Sequence, residues 1–96
     1  MGQQINDSGV FSGQKIVDVS GVNPPVTVAL YPGPGNTSRW EYSATPGAAG
    51  NPAAAKWWPG SGDVTGPTID TIEGACHAIR FIRVSGSDAD EFEVTA

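Results

Sequence analysis

Few residues in this chain can do chemistry, and their spacing limits what they can do. The single histidine, His77, and the single cysteine, Cys76, are adjacent. A thiol and an imidazole can work as nucleophile and base, but neighbouring side chains on a strand leave on opposite faces. These two therefore do not form a pair. Cys76, set among small and apolar residues, reads as a buried small hydrophobe. His77 reads as a residue at the rim of a sheet. With one His and one Cys, a structural zinc site would need carboxylates for its remaining ligands, an uncommon donor set. The sequence thus assigns no catalytic residue, no metal ligand and no cofactor.

Carboxylates come next. The segment "SDADEFEV" brings Asp88, Asp90, Glu91 and Glu93 close together. Such a turn can offer the roughly six to eight oxygens that Ca²⁺ takes, but the central glycine and closing bidentate glutamate of a calcium loop are missing. It reads as a solvated hairpin turn. Nothing implies the cleft or the raised pKa of a paired-carboxylate glycosidase. "PGPGN" (32–36) lacks the strand–turn–helix setting of a phosphate-cradling loop and is a turn. Asn6-Asp7-Ser8 and Asn36-Thr37-Ser38 match the glycosylation pattern, which carries weight only in a secreted chain. The start, "MGQQINDSG", has neither the basic nor the apolar region of a secretion signal. Asn6 stands where a myristoylation signal wants Ser or Thr.

The aromatics remain. Trp40, Trp57, Trp58, Tyr31 and Tyr42 are candidates for a sugar-stacking face, so a glycan is the alternative ligand. A small sandwich also needs large aromatics simply to fill its core. "AAAKWWPG" (53–60) sharpens the choice. If it is extended, Trp57 and Trp58 point to opposite faces and do not share one flat platform. The expectation is Trp57 inward and Trp58 exposed beside Pro59, as an anchor for a protein contact. Ile82 lies on the Arg80 face of its strand, opposite Ile79 and Phe81, and suggests apolar surface covered by another subunit. Val10, Phe11, Tyr31, Trp58 and Ile82 are the expected partner-interface residues.

These residues need elements to hold them. Ninety-six residues amount to a single domain. Gly (13) and Pro (8) exceed a fifth of the chain, which disfavours helices. Period-two alternation predicts strands over 14–20, 26–31, 38–44, 68–72, 76–84 and 91–95, with extended "KWW" between them. Val64 is a candidate edge residue. About seven short antiparallel strands spaced by roughly 8–12 residues predict an all-β fold, one small β-sandwich over 13–96. Residues 1–12 are expected to form an extended N-terminal arm whose Val10 and Phe11 dock elsewhere.

Charge narrows the partners. Asp and Glu outnumber Lys and Arg by 10 to 5, giving a net charge of −5 and no basic run. That disfavours nucleic acid, whose phosphates need clustered cations. No run approaches the roughly 18 apolar residues of a membrane span, so no membrane partner is expected.

Over about residues 26–96 the pattern resembles a family of small virion proteins of tailed bacteriophages. The resemblance rests on "VTVALY", "RWEYSATPGAA", a tryptophan after a small-residue loop ("AAAKWWPGSGDVTGPTID") and "HAIRFIRVSGSDADEFEV". In the last of these, Ala78-Ile79-Arg80-Phe81 matches the family's strand pattern. The two consecutive tryptophans and the proline-rich second turn depart from it. The resemblance implies a non-enzymatic head decoration (cement) protein, or a tail or neck accessory subunit. Such a protein is assembled in the host cytoplasm and resides in the virion. Its expected partners are a major capsid protein or tail and neck proteins, with a homo-oligomer as the expected state.

Overall fold

The strand 26–31 shows how the sequence builds this fold. In "VTVALY" the inward Val26, Val28 and Leu30 are buried, while Thr27 and Tyr31 on the other face are half-buried. It pairs antiparallel with the C-terminal strand on one side and with residues 68–72 on the other. In the computed structural model, which describes residues 4–96, eight strands follow in order. They are β1 (Asn6–Phe11), β2 (Gln14–Asp18), β3 (Val26–Tyr31), β4 (Thr37–Ser43), β5 (Trp58–Pro59), β6 (Thr68–Ile72), β7 (Ala78–Ser85) and β8 (Asp90–Thr95). A 3₁₀ turn, Pro52–Ala54, lies in the long loop before β5.

The strands form two four-stranded antiparallel sheets, β1-β8-β3-β6 and β2-β7-β4-β5, packed face to face as a β-sandwich. Alternation decides what lies between them. Phe11, Val28, Leu30, Phe92 and Val94 of the first sheet meet Val17, Trp40, Ile79 and Phe81 of the second. Phe81 packs on Phe92 with ring centroids 5.1 Å apart, and Phe11 lies 5.9 Å from Phe81. Cys76, Val19 and Val22 extend this core, and the burial of Cys76 matches its reading as a small hydrophobe.

The N-terminal segment differs from expectation. Asn6–Phe11 is a full edge strand, paired residue for residue with β8 from Asn6↔Thr95 to Phe11↔Asp90. Residues 1–3 of the expected arm lie outside the described residues. The cause is the alternation of Gly9 and Phe11 toward the core against Ser8 and Val10 outward, with Gly13 in the left-handed region (φ 82°) turning the chain into β2. Phe11 is consequently a core residue, 6% exposed, and leaves the set of partner-contact residues.

One further difference and one agreement are local. β7 begins at Ala78, though His77 extends its ladder by donating its backbone N–H to Ser43 O (2.8 Å) and accepting from Val19 N. Val64 joins β4 through an isolated bridge to Ser38, the edge contact expected of it.

Candidate docking faces

The sheet β2-β7-β4-β5 has an outer face that the chain itself closes. Glu41 on β4 sits opposite Arg80 on β7 and accepts from Arg80 Nε (3.0 Å) and Nη2. Arg39 reaches the same carboxylate (Nε–Oε2 3.2 Å) and Asp63 (3.4 Å). Trp57 then covers Arg80, whose guanidinium carbon lies 4.2 Å from the ring centroid. The loop carrying Trp57 is held down in turn: its indole N–H donates to Pro52 O (3.0 Å), and Lys56 N to Thr45 Oγ1 (3.1 Å). Ser43 and Ala78 are fully buried despite an outward register.

The tryptophan pair therefore needs correction. Trp57 is half-buried on the outside of the sheet, stacked on an arginine, and is no part of the core. A cation on β7, one strand beyond the neighbouring β4, gives the outward indole a better seat than an already full interior. Trp58 is 58% exposed at the two-residue edge strand β5, paired with Tyr42. Ile82 does lie outward as expected, half-buried between Arg39 on β4 and Gln14 on β2.

The sheet β1-β8-β3-β6 presents a different outer face. Parity places Ser8 and Val10 of β1, Glu91 and Glu93 of β8, Ala29 and Tyr31 of β3, and Ile69 of β6 on it. Val10 is 65% and Ile69 70% exposed. Between them the Tyr31 hydroxyl donates to Glu93, which, with burial and the nearby Glu91, raises the phenol above its ordinary 10.0. Ser8, Val10, Tyr31, Glu91 and Glu93 border a shallow depression of about 340 Å³. Of the expected contact residues, the structure brings together only Val10 and Tyr31 here. Ile69 was missed, although its phase against Ile72 in "TIDTI" already placed it on the opposite face.

A second concavity, also about 340 Å³, opens along the side where β6 and β5 leave the sandwich unclosed. Trp40, Tyr42, Pro59 and Gly60 line one wall, and Asp70, Glu73 and Cys76 the other. Burial pushes the Cys76 thiol up, away from the reactive thiolate.

The acidic turn also departs from its reading. Asp90 is fully buried, not solvated. Its Oδ1 accepts from Gly33 N (2.8 Å), Asn36 Nδ2 (2.9 Å) and Ser38 Oγ (3.1 Å), tying the "PGPGN" turn to the start of β8. Among the described residues no group of three or more His, Cys, Asp or Glu is placed to hold a metal ion. Among them, too, no helix is long and apolar enough to cross a membrane.

The class these features define is a small two-sheet β-sandwich with one self-covered face and one bare acidic–apolar face. No family model, curated protein or solved structure matches the chain.

Proposed function

We propose that this chain is a structural subunit that docks on a protein lattice, in the manner of a tailed-phage decoration or accessory protein. The observation that carries the docking reading is the bare outer face of β1-β8-β3-β6, where Val10 and Ile69 stand exposed on either side of Tyr31. The assignment to a virion is supported by the sequence resemblance. In this reading the chain carries out no reaction, and Cys76 and His77 serve packing and strand pairing.

Geometry sets the strength of the contact. Four strands about 4.8 Å apart and about six residues long span a face of roughly 20 by 20 Å. That is about half of the ~800 Å² that each partner contributes to a standard interface. A single copy on this face binds weakly, and occupancy depends on many copies sharing one lattice. The test is fractionation: particles are purified from the culture that produces the chain and analysed by mass spectrometry. The reading expects the chain at a fixed ratio to the main lattice protein and is overturned by its absence from washed particles.

A glycan-binding reading is favoured by one feature, the open-side cleft with Tyr42 facing Asp70 and Glu73 above the buried Trp40, and Trp58 exposed beside Tyr42. Aromatic walls with carboxylates at hand suit a sugar ring. A fluorescence shift on glycan titration that Trp58→Ala abolishes would establish it. A flat response across a broad panel removes it.

A further inference from the structure

The basic residues on the strands of this sandwich are sorted by sheet. Strands β1, β8, β3 and β6 carry Asp7, Asp70, Asp90, Glu91 and Glu93 and no Lys, Arg or His. Lys15, Arg39, Arg80 and Arg83 all lie on strands of the opposite sheet. With Asp90 buried, the exposed centre of the acidic sheet is the pair Glu91 and Glu93, on one face of β8. Two residues apart on a strand, they stand about 6.7 Å apart, inside the Debye length of ~8 Å at physiological salt. They repel each other, and among the described residues no cation on the face relieves them. Tyr31, donating to Glu93, is a neutral partner only.

We infer that the occupant of this face is a protein surface bearing Lys or Arg beside apolar side chains. Its cation sits over Glu91 and Glu93, and its apolar groups meet Val10 and Ile69 on the flanks. The inference rests on the docking reading and adds the chemistry of the partner. A second copy of the chain meets the requirement less well: its Arg39 and Arg80 are already engaged by Glu41 and Asp63, and Trp57 covers Arg80, which leaves Lys56, exposed beside Trp58, as the cation it could offer. An anionic partner, whether nucleic acid or acidic lipid, is repelled.

The probe is a synthetic peptide of alternating lysine and leucine, titrated into the full isotope-labelled chain and followed by NMR. Saturable, salt-sensitive shifts are expected at residues 8–10, 29–31, 69 and 91–93. The double variant Glu91→Gln/Glu93→Gln should weaken binding by about tenfold or more, as loss of charge-assisted contacts does. These exposed substitutions leave the fold intact, which an unchanged circular-dichroism spectrum and a cooperative melt verify. Shifts confined to the open-side cleft, failure of the peptide to bind, or unaltered affinity of the double variant each overturn the inference. So does concentration-dependent self-association that the double variant abolishes, because a second copy would then be the occupant. Particle fractionation separates the two levels. Wild-type chain on particles with the double variant equally bound defeats the cationic partner and leaves the docking reading. Peptide binding by a chain absent from particles does the reverse.

Discussion

Tyr31 on β3 donates its hydroxyl to Glu93 on β8, although its register partner on that strand is Glu91. The bond is diagonal, two residues along the neighbouring strand, a distance that a tyrosine spans. It locks the one large aromatic of the acidic face in place and leaves Glu91 as the carboxylate with no hydrogen bond from the tyrosine.

The first prediction concerns this pair. Tyr31 should ionise above its ordinary 10.0, because the bond to Glu93 stabilises the protonated phenol. A pKa raised in the folded state contributes stability below the unfolded value, and that contribution disappears as pH rises through the folded one. Thermal stability should therefore fall as pH climbs past about 10, less steeply in Glu93→Gln. Ultraviolet titration of a Tyr42→Phe background reads Tyr31 alone. A Tyr31 titration unmoved by Glu93→Gln would refute the coupling.

Neighbouring residues on β1 should behave oppositely. Phe11→Ala opens a cavity against Phe81 and Phe92 and should cost about 3–5 kcal/mol in denaturant unfolding. Val10→Ser, on an exposed position, should stay within about 0.5 kcal/mol. Equal losses at both would mean β1 is not the edge strand described.

How far these features are legible in the sequence depends on the residue. Strict alternation in "VTVALY" and "EFEVT" was enough to place β3 and β8 and their buried faces. β1 was hidden because "NDSGVF" mixes polar residues and glycine, so its pairing with β8 supplies what its composition does not. Parity correctly separates Trp57 from Trp58, but parity does not say which face is the core. That depended on Arg80, a residue 23 positions away that seats Trp57 on the outside. Asp90 shows the same limit. An acid in a run of acids reads as solvated, and its three donors come from residues 33–38, far away in sequence. Ile69 was legible from phase alone once β6 was paired.

The Asp90 network gives a third prediction. Asp90→Ala removes the acceptor of the Gly33 N–H, of the Ser38 hydroxyl and of one of the two Asn36 Nδ2 hydrogens, the other being held by Asp88 O, and should destabilise by about 3 kcal/mol. Gly86→Ala should be at least as harmful, because Gly86 has φ 105° and an added Cβ would run into the Asn36 side chain. Chemical denaturation measures both. A Gly86→Ala variant of wild-type stability would contradict this packing.

The tryptophans supply a fourth. Trp57→Ala removes the ring over Arg80 and the bond to Pro52 O, and should cost about 1–2 kcal/mol. Trp58→Ala should change stability by no more than about 0.5 kcal/mol, and its loss should remove most of the acrylamide-quenchable fluorescence. The reverse order of effects would exchange the roles of the two residues.

The central claim is that the bare acidic sheet is the docking face. The most direct measurement is cryo-electron microscopy of particles carrying the chain, at a resolution that distinguishes the two sheets. The account predicts β1-β8-β3-β6 against the lattice, with Glu91 and Glu93 opposite basic side chains and the Trp57–Arg80 face toward solvent. Density with the Trp57–Arg80 face seated on the lattice and Glu91 and Glu93 in solvent would contradict it.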